Sequence, residues 1–198
     1  MLRFSLIVLA AGASRRLGRA KQLLPFQNKP LLQHILLQTQ DLDWDARILV
    51  LGAAAEIILP ALDFGGFELA LNPDWETGMA SSVRVGVERA LARRPDTENL
   101  LFLVCDQPFV SAALLRDLRA LHTRSGKKIT ACRYRDTLGV PAIFSKSVFP
   151  ELQRLQGDRG AAGVIRKYAD DCAEMPFEHG AVDVDTEADY RQLGDWTG

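Results

Sequence analysis

A small-residue turn near the start of the chain is followed by several cations. Gly12 stands among alanines, and the cations that follow it are Arg15, Arg16, Arg19 and Lys21. Glycine can adopt a positive φ, and small neighbours let the backbone approach a ligand closely. Successive main-chain N–H groups in such a turn bind anions, and nearby cations add to that attraction. This stretch therefore suits a bound polyphosphate.

The spacing of the turn does not match the common nucleotide-binding motifs. A P-loop needs a second glycine followed directly by Lys and then Ser or Thr, whereas Gly18 is followed by Arg19. A dinucleotide fingerprint needs a third glycine at the proper spacing, and the stretch has none. From the pattern alone, two interpretations stay open: a phosphate-binding loop, or an ordinary strand–helix connection with solvated arginines.

Two acidic motifs supply candidate metal ligands. Asp106 follows the apolar run 100–104, and one residue separates Asp183 from Asp185. A strand over 182–185 would point both carboxylates to one face, because side chains alternate along a strand. Mg²⁺ prefers oxygen ligands and typically uses one or two carboxylates plus substrate phosphates. The alternatives are a turn or cap at Asp106, an exposed edge strand for the pair, and a helix cap at Asp185.

Apolar runs alternate with helical patterns along the chain, and these elements must position the candidate residues. Strands are predicted at 4–9, 48–51, 67–71, 100–104, 129–134, 141–144 and 182–185. Helices are predicted at 30–37, 56–62, 79–93, 112–123, 147–155, 161–168 and 186–193. This alternation predicts an α/β fold, with a mostly parallel sheet covered by helices on both faces. Ligands in such sheets bind beyond the carboxyl ends of the strands, so we expect Gly12, Gly78 and Asp106 at one rim.

Length and composition predict a single domain over residues 1–198. A chain of 198 residues with 47% hydrophobic residues can bury a substantial core. The net charge of −1 excludes a generally basic nucleic-acid binder. Three widely spaced cysteines show neither a disulfide framework nor a zinc pattern, so a reducing cytoplasm is expected. The N-terminal apolar run is too short to span a membrane. The glycine–arginine stretch occupies the position where a signal peptide would have its cleavage region, so we interpret the run as the first strand of the domain.

One spaced motif resembles the signature of a known family: Ala10-Ala11-Gly12-x-Ser14-x-Arg16-Leu17-Gly18-x-x-Lys21. The chain is similar here to the MobA-like NTP transferases, which include the molybdenum cofactor cytidylyl- and guanylyltransferases. Three further runs resemble family motifs: Cys105-Asp106-Gln107-Pro108, Asp183-x-Asp185-Thr186 and Asn72-x-x-Trp75-x-x-Gly78-Met79-x-x-Ser82. The resemblance implies a Rossmann-like nucleotidyltransferase fold.

The resemblance also implies roles for individual residues. Implied nucleotide-binding residues are Ala10, Ala11, Gly12, Ser14, Arg16, Lys21, Asn72, Gly78 and Ser82. Implied catalytic residues are Arg16, Lys21 and Asp106, and implied ligands of a Mg²⁺ cofactor are Asp106, Asp183 and Asp185. From spacing alone, Ser81 or Ser82 would be interpreted as a helix cap.

The implied reaction transfers CMP from CTP to a phosphorylated small molecule and releases pyrophosphate. Guanylyltransferases of the family usually have glycine where this chain has Ala11, so CTP is favoured. Molybdopterin is the expected acceptor, although relatives often have His at the position of Val140. Transient contact with a molybdoenzyme or a cofactor-handling protein is also expected, and association with nucleic acid or membrane is not.

Three alternatives remain beside this interpretation. A guanylyltransferase of the same pathway would share the loop and the acidic motifs. A sugar-phosphate or isoprenoid-precursor cytidylyltransferase would have a similar architecture. A non-catalytic nucleotide-binding protein could keep the loop but would not need Asp106 and the Asp183/Asp185 pair, whose presence favours an enzyme.

Overall fold

A seven-stranded sheet organises the structure, a computed structural model that describes residues 2–195. The strands in chain order are β1 (Phe4–Ala10), β2 (Pro25–Phe26), β3 (Lys29–Pro30), β4 (Ala46–Leu51), β5 (Glu68–Leu71), β6 (Asn99–Val104), β7 (Ile129–Tyr134), β8 (Thr137–Ser145) and β9 (Cys172–Pro176). The pair β2–β3 forms a separate small hairpin. The sheet has the spatial order β5-β4-β1-β6-β8-β7-β9.

Helices connect most of these strands. They are α1 (Leu31–Leu37), α2 (Ala55–Ile58), α3 (Met79–Arg93), α4 (Ala112–Ser125), α5 (Phe149–Gln153), α6 (Ala161–Lys167) and α7 (Glu187–Asp195). Short 3₁₀ turns occur at Lys21–Leu23, Trp75–Thr77, Lys146–Val148, Ala169–Asp171 and Glu178–Ala181. Within residues 2–195, no helix has the length and apolar character that crossing a membrane requires.

The central strand β1 is buried on both faces, which explains its unbroken apolar sequence. Ile7 belongs to the apolar layer that also contains residues of α3, α5 and α6. Leu6 and Val8 belong to the opposite layer, with residues of α1, α2 and α4. Helices therefore cover both faces of the sheet, and the predicted fold class is confirmed.

The register of the parallel strands brings separate loops to one edge. Strand β1 pairs in parallel with β4 and with β6, so that Leu9 lies opposite both Val50 and Val104. The loops that leave β1, β4 and β6 therefore start at the same edge of the sheet. Strand β8 runs antiparallel to both of its neighbours, β6 and β7. Gly12 and Asp106 consequently lie at one rim, as expected.

The predicted strand over 182–185 is wrong. The backbone there is irregular, and Val184 donates its N–H to the carbonyl of Asp106 at 3.1 Å. The last strand is instead β9, which pairs with β7 at the sheet edge. Strand β9 is only half buried, carries Glu174 and ends at Pro176, so its apolar signal is weak.

Other elements differ from prediction mainly in their ends. Helix α2 stops at Ile58, two residues before Pro60, because proline cannot continue the hydrogen-bonded backbone and restricts the residue before it. Helix α5 begins only at Phe149, since a 3₁₀ turn occupies Lys146–Val148. Strand β8 begins at Thr137, earlier than predicted. The hairpin of β2 and β3 was not predicted.

Candidate active site

A cavity of about 470 Å³ opens at the rim where β1 and β6 end. Eight of the nine predicted nucleotide-binding residues line it: Ala10, Ala11, Gly12, Ser14, Arg16, Lys21, Gly78 and Ser82. Asp106 and Asp185 line it as well. The fold thus gathers residues that lie far apart in the sequence around one concave surface, which is large enough for a small-molecule ligand.

Gly12 does not adopt the positive φ that the sequence suggested. The left-handed residues of the loop are Ser14, with φ of 52°, and Gly18, with φ of 73°. A Cβ built on Gly12 would meet no heavy atom within 4 Å. The backbone at Gly12 therefore does not require glycine, and the missing side chain leaves open space in the loop that lines the cavity.

The loop after β1 uses its carbonyl groups within the protein. Gln22, which is fully buried, donates from Nε2 to the carbonyl oxygens of Ala10 at 2.8 Å and Gly12 at 3.1 Å. The carbonyl of Ala11 accepts from the N–H of Ala53 at 3.2 Å. These bonds direct three successive carbonyl oxygens at donors of the protein.

Lys21 joins the loop to both acidic motifs. Its Nζ lies 2.6 Å from Oδ2 of Asp106 and 2.8 Å from Oδ1 of Asp185. Burial alone would lower the pKa of Lys21, but the charge and hydrogen bond of Asp106 and the hydrogen bond of Asp185 raise this pKa above its ordinary value. Lys21 is therefore a charged ammonium throughout the physiological pH range.

Asp185 interacts with two cations through its two oxygens. Oδ2 of Asp185 lies 2.5 Å from Nη2 of Arg16, while Oδ1 accepts from Lys21. Burial works to raise the pKa of Asp185, yet Lys21 and Arg16 together lower it below its ordinary value. Arg19, by contrast, does not line the cavity and pairs with Glu187 at 2.9 Å. The four loop cations therefore divide into three at the cavity and one outside it.

Asp183 is the one predicted metal ligand that does not line the cavity. Burial together with the charges of Asp106 and Asp185 raises the pKa of Asp183. Its neighbour Val184 is fully buried in a small apolar cluster with Leu17 of the loop. This cluster attaches the C-terminal segment to the loop and so fixes the position of Asp185.

The carboxylates do not form a ready-made cluster of three. Across the described residues 2–195, no three or more His, Cys, Asp or Glu side chains are arranged to hold a metal ion. Asp106 and Asp185 nevertheless converge on one ammonium group, that of Lys21. Two carboxylates around a cation are the oxygen donors that a hard divalent ion uses, with substrate phosphates completing its shell. The donor chemistry therefore fits a divalent cation held by Asp106 and Asp185.

Asn72 does not line the cavity. Its side chain is buried, with Nδ2 donating to Oγ of Ser81 at 2.8 Å and of Ser82 at 2.9 Å, and Oδ1 accepting from the N–H of Asp74 at 3.0 Å. Its amide groups thus fix the turn before α3. From the rest of that motif, the cavity receives Trp75, Glu76, Gly78, Met79 and Ser82.

Gly78 connects this segment to the glycine-rich stretch before α6. It has φ of 107°, and a Cβ there would overlap the backbone of Gly157 and lie 2.7 Å from Oδ1 of Asp158. The N–H of Ala80 donates to the carbonyl of Gly157 at 3.0 Å. Glycine is therefore required at 78, and the contact makes Asp158 part of the cavity wall.

The cavity also contains residues to which sequence reasoning assigned no individual role, namely Trp75, Glu76, Met79 and Asp158, together with Arg15, one of the loop cations expected near a polyphosphate. Arg15 lies over the ring of Trp75, 5.9 Å from its centroid, and 3.6 Å from a carboxylate oxygen of Glu76. Four of these residues lie within the two recognised motifs, whose spacing did not indicate which side chains face the cavity, and Asp158 lies outside both.

Comparison with known proteins places the chain in a family of nucleotide-using proteins. Residues 6–172 match the MobA-like NTP transferase domain family. The chain is 29% identical to nicotine blue oxidoreductase of Paenarthrobacter nicotinovorans, over 94% of this chain and 95% of that protein. It is 27% identical to a probable molybdenum cofactor guanylyltransferase of Flavobacterium johnsoniae, over 72% of this chain and 69% of that protein.

A solved structure supports the same relationship. The crystal structure of Rv0371c from Mycobacterium tuberculosis H37Rv superposes with a TM-score of 0.86 at 36% identity, covering 97% of both chains. Its complex with manganese superposes with a TM-score of 0.81 at 33% identity, covering 96% of this chain and 97% of that one. Because the family match spans most of the sequence, the chain belongs to the MobA-like NTP transferase family.

Proposed function

We propose that the protein is a Mg²⁺-dependent enzyme that transfers CMP from CTP to molybdopterin and releases pyrophosphate. The observation that carries this proposal is the contact of Lys21 with Asp106 and Asp185 beside the phosphate-binding loop. The family supplies the reaction class of nucleotidyl transfer to a phosphorylated acceptor. The choice of CTP, of molybdopterin and of Mg²⁺, together with a cytoplasmic location, is our own inference.

The proposed reaction needs charge neutralisation more than proton transfer. A phosphate monoester has a second pKa of about 6, so the acceptor oxygen is already an anionic nucleophile at neutral pH. This oxygen forms a bond to the α-phosphorus. At the same time, the bond breaks between the α-phosphorus and the oxygen that links it to the β-phosphorus. Pyrophosphate leaves with the electron pair of that bond. No general base is required. Among the residues that the structure describes, those lining the cavity include cations and carboxylates but no histidine.

Each part of the cavity has a role in this proposal. The loop N–H groups and Arg16 bind the triphosphate, and Lys21 stabilises the negative charge that develops on the leaving pyrophosphate. Asp106 and Asp185 hold the divalent cation. When bound, that cation neutralises the α-phosphate and orients it for in-line attack. The manganese complex of Rv0371c supports a divalent cation in a relative.

Ala11 supports CTP over GTP. It is buried and lines the cavity. Its methyl group occupies the space beside Gly52, because a Cβ built on Gly52 would lie 2.9 Å from Cβ of Ala11. The methyl group of Ala11 therefore limits how far the loop can move toward Gly52, and we infer that this restricts the room for a purine. The alternative is a guanylyltransferase, the activity named for the relative from Flavobacterium johnsoniae.

The acceptor follows from the same relative, whose name refers to the molybdenum cofactor. A protein that completes such a cofactor must pass it on, so we also propose transient contact with a molybdoenzyme or a cofactor-handling protein. A sugar-phosphate or isoprenoid-precursor acceptor is the main enzymatic alternative. A nucleotide-binding protein without catalysis is the alternative of a different class.

One assay separates these functions. The protein is incubated with Mg²⁺, each of CTP, GTP, ATP and UTP, and in turn molybdopterin, a sugar phosphate and methylerythritol phosphate, with pyrophosphate as the readout. Pyrophosphate only from CTP with molybdopterin supports the proposal. Release with GTP, or with another acceptor, supports the corresponding alternative. Absence of pyrophosphate with every pair contradicts nucleotidyl transfer, and CTP binding under those conditions would leave the non-catalytic function.

A further inference from the structure

The ammonium of Lys21 lies between the two carboxylates that fit a divalent cation. It contacts one oxygen of Asp106 and one oxygen of Asp185 at hydrogen-bond distance. The side chain of Lys21 is only 11% exposed, so solvent screens these contacts weakly. In this arrangement, Lys21 is the cation that contacts both carboxylates, while Arg16 contacts Asp185 alone.

The same ammonium is the group proposed to bind the triphosphate. A dication that bound both carboxylates would stand about 2 Å from their oxygens, next to an ammonium already in contact with them. Two cations at such a distance repel each other, and both would compete for the same oxygen lone pairs. Lys21 therefore opposes the cation for as long as it remains on Asp106 and Asp185.

The position of Lys21 between Asp106 and Asp185 is explained by the repulsion between the two carboxylates. Without Lys21, the carboxylates of Asp106 and Asp185 would face each other in a partly buried cavity, with Asp183 near enough for both to raise its pKa. Removing one partner of a buried ion pair leaves an uncompensated charge and is strongly destabilising. A cation in contact with both carboxylates therefore stabilises the pair, although Arg16 still neutralises part of the charge of Asp185.

We propose that, in the nucleotide-free protein, the ammonium of Lys21 occupies the position of the divalent cation between Asp106 and Asp185. When a triphosphate binds, the ammonium leaves this position and the divalent cation takes it. The β- and γ-phosphates attract the ammonium away from Asp106, and the vacated carboxylates then accept the metal. Nucleotide and metal binding are positively coupled through this one side chain. The inference rests on the proposed nucleotide site but not on any particular base or acceptor.

The test measures Mn²⁺ binding to the nucleotide-free protein by electron paramagnetic resonance of free Mn²⁺. Coupling between two sites typically changes affinity by about 5- to 150-fold, so Lys21→Met should bind Mn²⁺ at least roughly tenfold tighter than wild type. Lys21→Arg keeps the positive charge and should bind Mn²⁺ as weakly as wild type. Arg19→Met removes a cation outside the cavity and serves as the matched control, with unchanged Mn²⁺ affinity expected.

A second measurement keeps the proposal testable if Lys21→Met folds poorly. Mn²⁺ should raise the thermal midpoint of this variant more than that of wild type, because the metal replaces the missing ammonium. Equal Mn²⁺ affinity and equal stabilisation in both proteins would overturn the proposal. Both readouts are independent of turnover. A failed transfer assay together with tighter Mn²⁺ binding by Lys21→Met would reject the proposed enzyme and leave this inference standing.

Discussion

Nζ of Lys21 lies 2.6 Å from Oδ2 of Asp106, although the two residues are 85 positions apart in the sequence. The parallel pairing of β1 with β6 brings them together, since Leu9 lies opposite Val104 and both strands end at the same edge. Lys21 lies in the segment that follows β1, and Asp106 lies just after β6. The contact joins the candidate phosphate site to the candidate metal site.

Replacing Asp106 should remove activity and leave the fold intact. Asp106 lies just beyond the end of β6 at the cavity and contributes little to the apolar core. We expect Asp106→Ala to lower kcat by roughly 10²–10³-fold, the usual cost of removing one group that stabilises developing charge. Turnover is compared with Asp183→Ala, whose side chain does not line the cavity and should matter less. Wild-type turnover in Asp106→Ala at an unchanged thermal midpoint would reject its catalytic role.

Arg16 should distinguish a triphosphate from a monophosphate. Its guanidinium lines the cavity and contacts Asp185, whereas Arg19 lies outside. A lost charge-assisted contact costs about 1.5–3 kcal/mol, so Arg16→Gln should weaken CTP binding far more than CMP binding. Titration calorimetry with both nucleotides measures the difference, and Arg19→Gln is the control. Equal losses for CTP and CMP would place Arg16 away from the distal phosphates.

Gln22 should support triphosphate binding without contacting the ligand. In Gln22→Met the carbonyl groups of Ala10 and Gly12 lose their shared donor and become free to turn toward the anion. We expect CTP affinity to fall while the affinity for cytidine, which has no phosphate, changes little. A loss of thermal stability alone would not alter the ratio of these two affinities. An unchanged ratio would mean that Gln22 only stabilises the fold.

Ala11 should contribute to base selection. Ala11→Gly removes one methyl group that packs beside Gly52, which should let the loop give more room to a purine but supplies no hydrogen bond to guanine. A difference of one methyl group is worth about 1–3 kcal/mol, so the preference for CTP should relax without reversing. The values to compare are kcat/KM for CTP and GTP with one acceptor. If wild type favours CTP and the variant is unchanged, selection lies elsewhere, with Trp75 and Glu76 as the next candidates.

Much of the fold was predictable because it depends on local pattern. Buried strands such as β1 and β6 have continuous apolar runs, and the predicted bounds of α3 are those observed. Strand β9 was not predictable in this way, because an edge strand with few buried side chains carries little signal. The segment 182–185 has an alternating pattern without a strand partner, and its pairing with the Asp106 carbonyl is a long-range contact.

The sequence predicted which residues belong to the candidate site better than it predicted how their side chains are arranged. Motif resemblance identified most of the residues that line the cavity, but it could not show that Asn72 uses its amide within the protein. Nor could spacing reveal that Lys21 stands between Asp106 and Asp185, since three separate segments must first assemble. Side-chain direction depends on packing between these segments, which no single motif contains.

Following an isotopic label from CTP shows directly whether the protein transfers the nucleotidyl group to the acceptor. Two parallel reactions contain molybdopterin and Mg²⁺, one with CTP labelled at the α-phosphorus and one with CTP labelled at the γ-phosphorus. If the protein is a nucleotidyltransferase, the α-label moves to the acceptor and the γ-label appears in pyrophosphate, and the Asp106→Ala variant produces neither labelled product. A γ-label on the acceptor, or CTP recovered unchanged in both reactions, would contradict it.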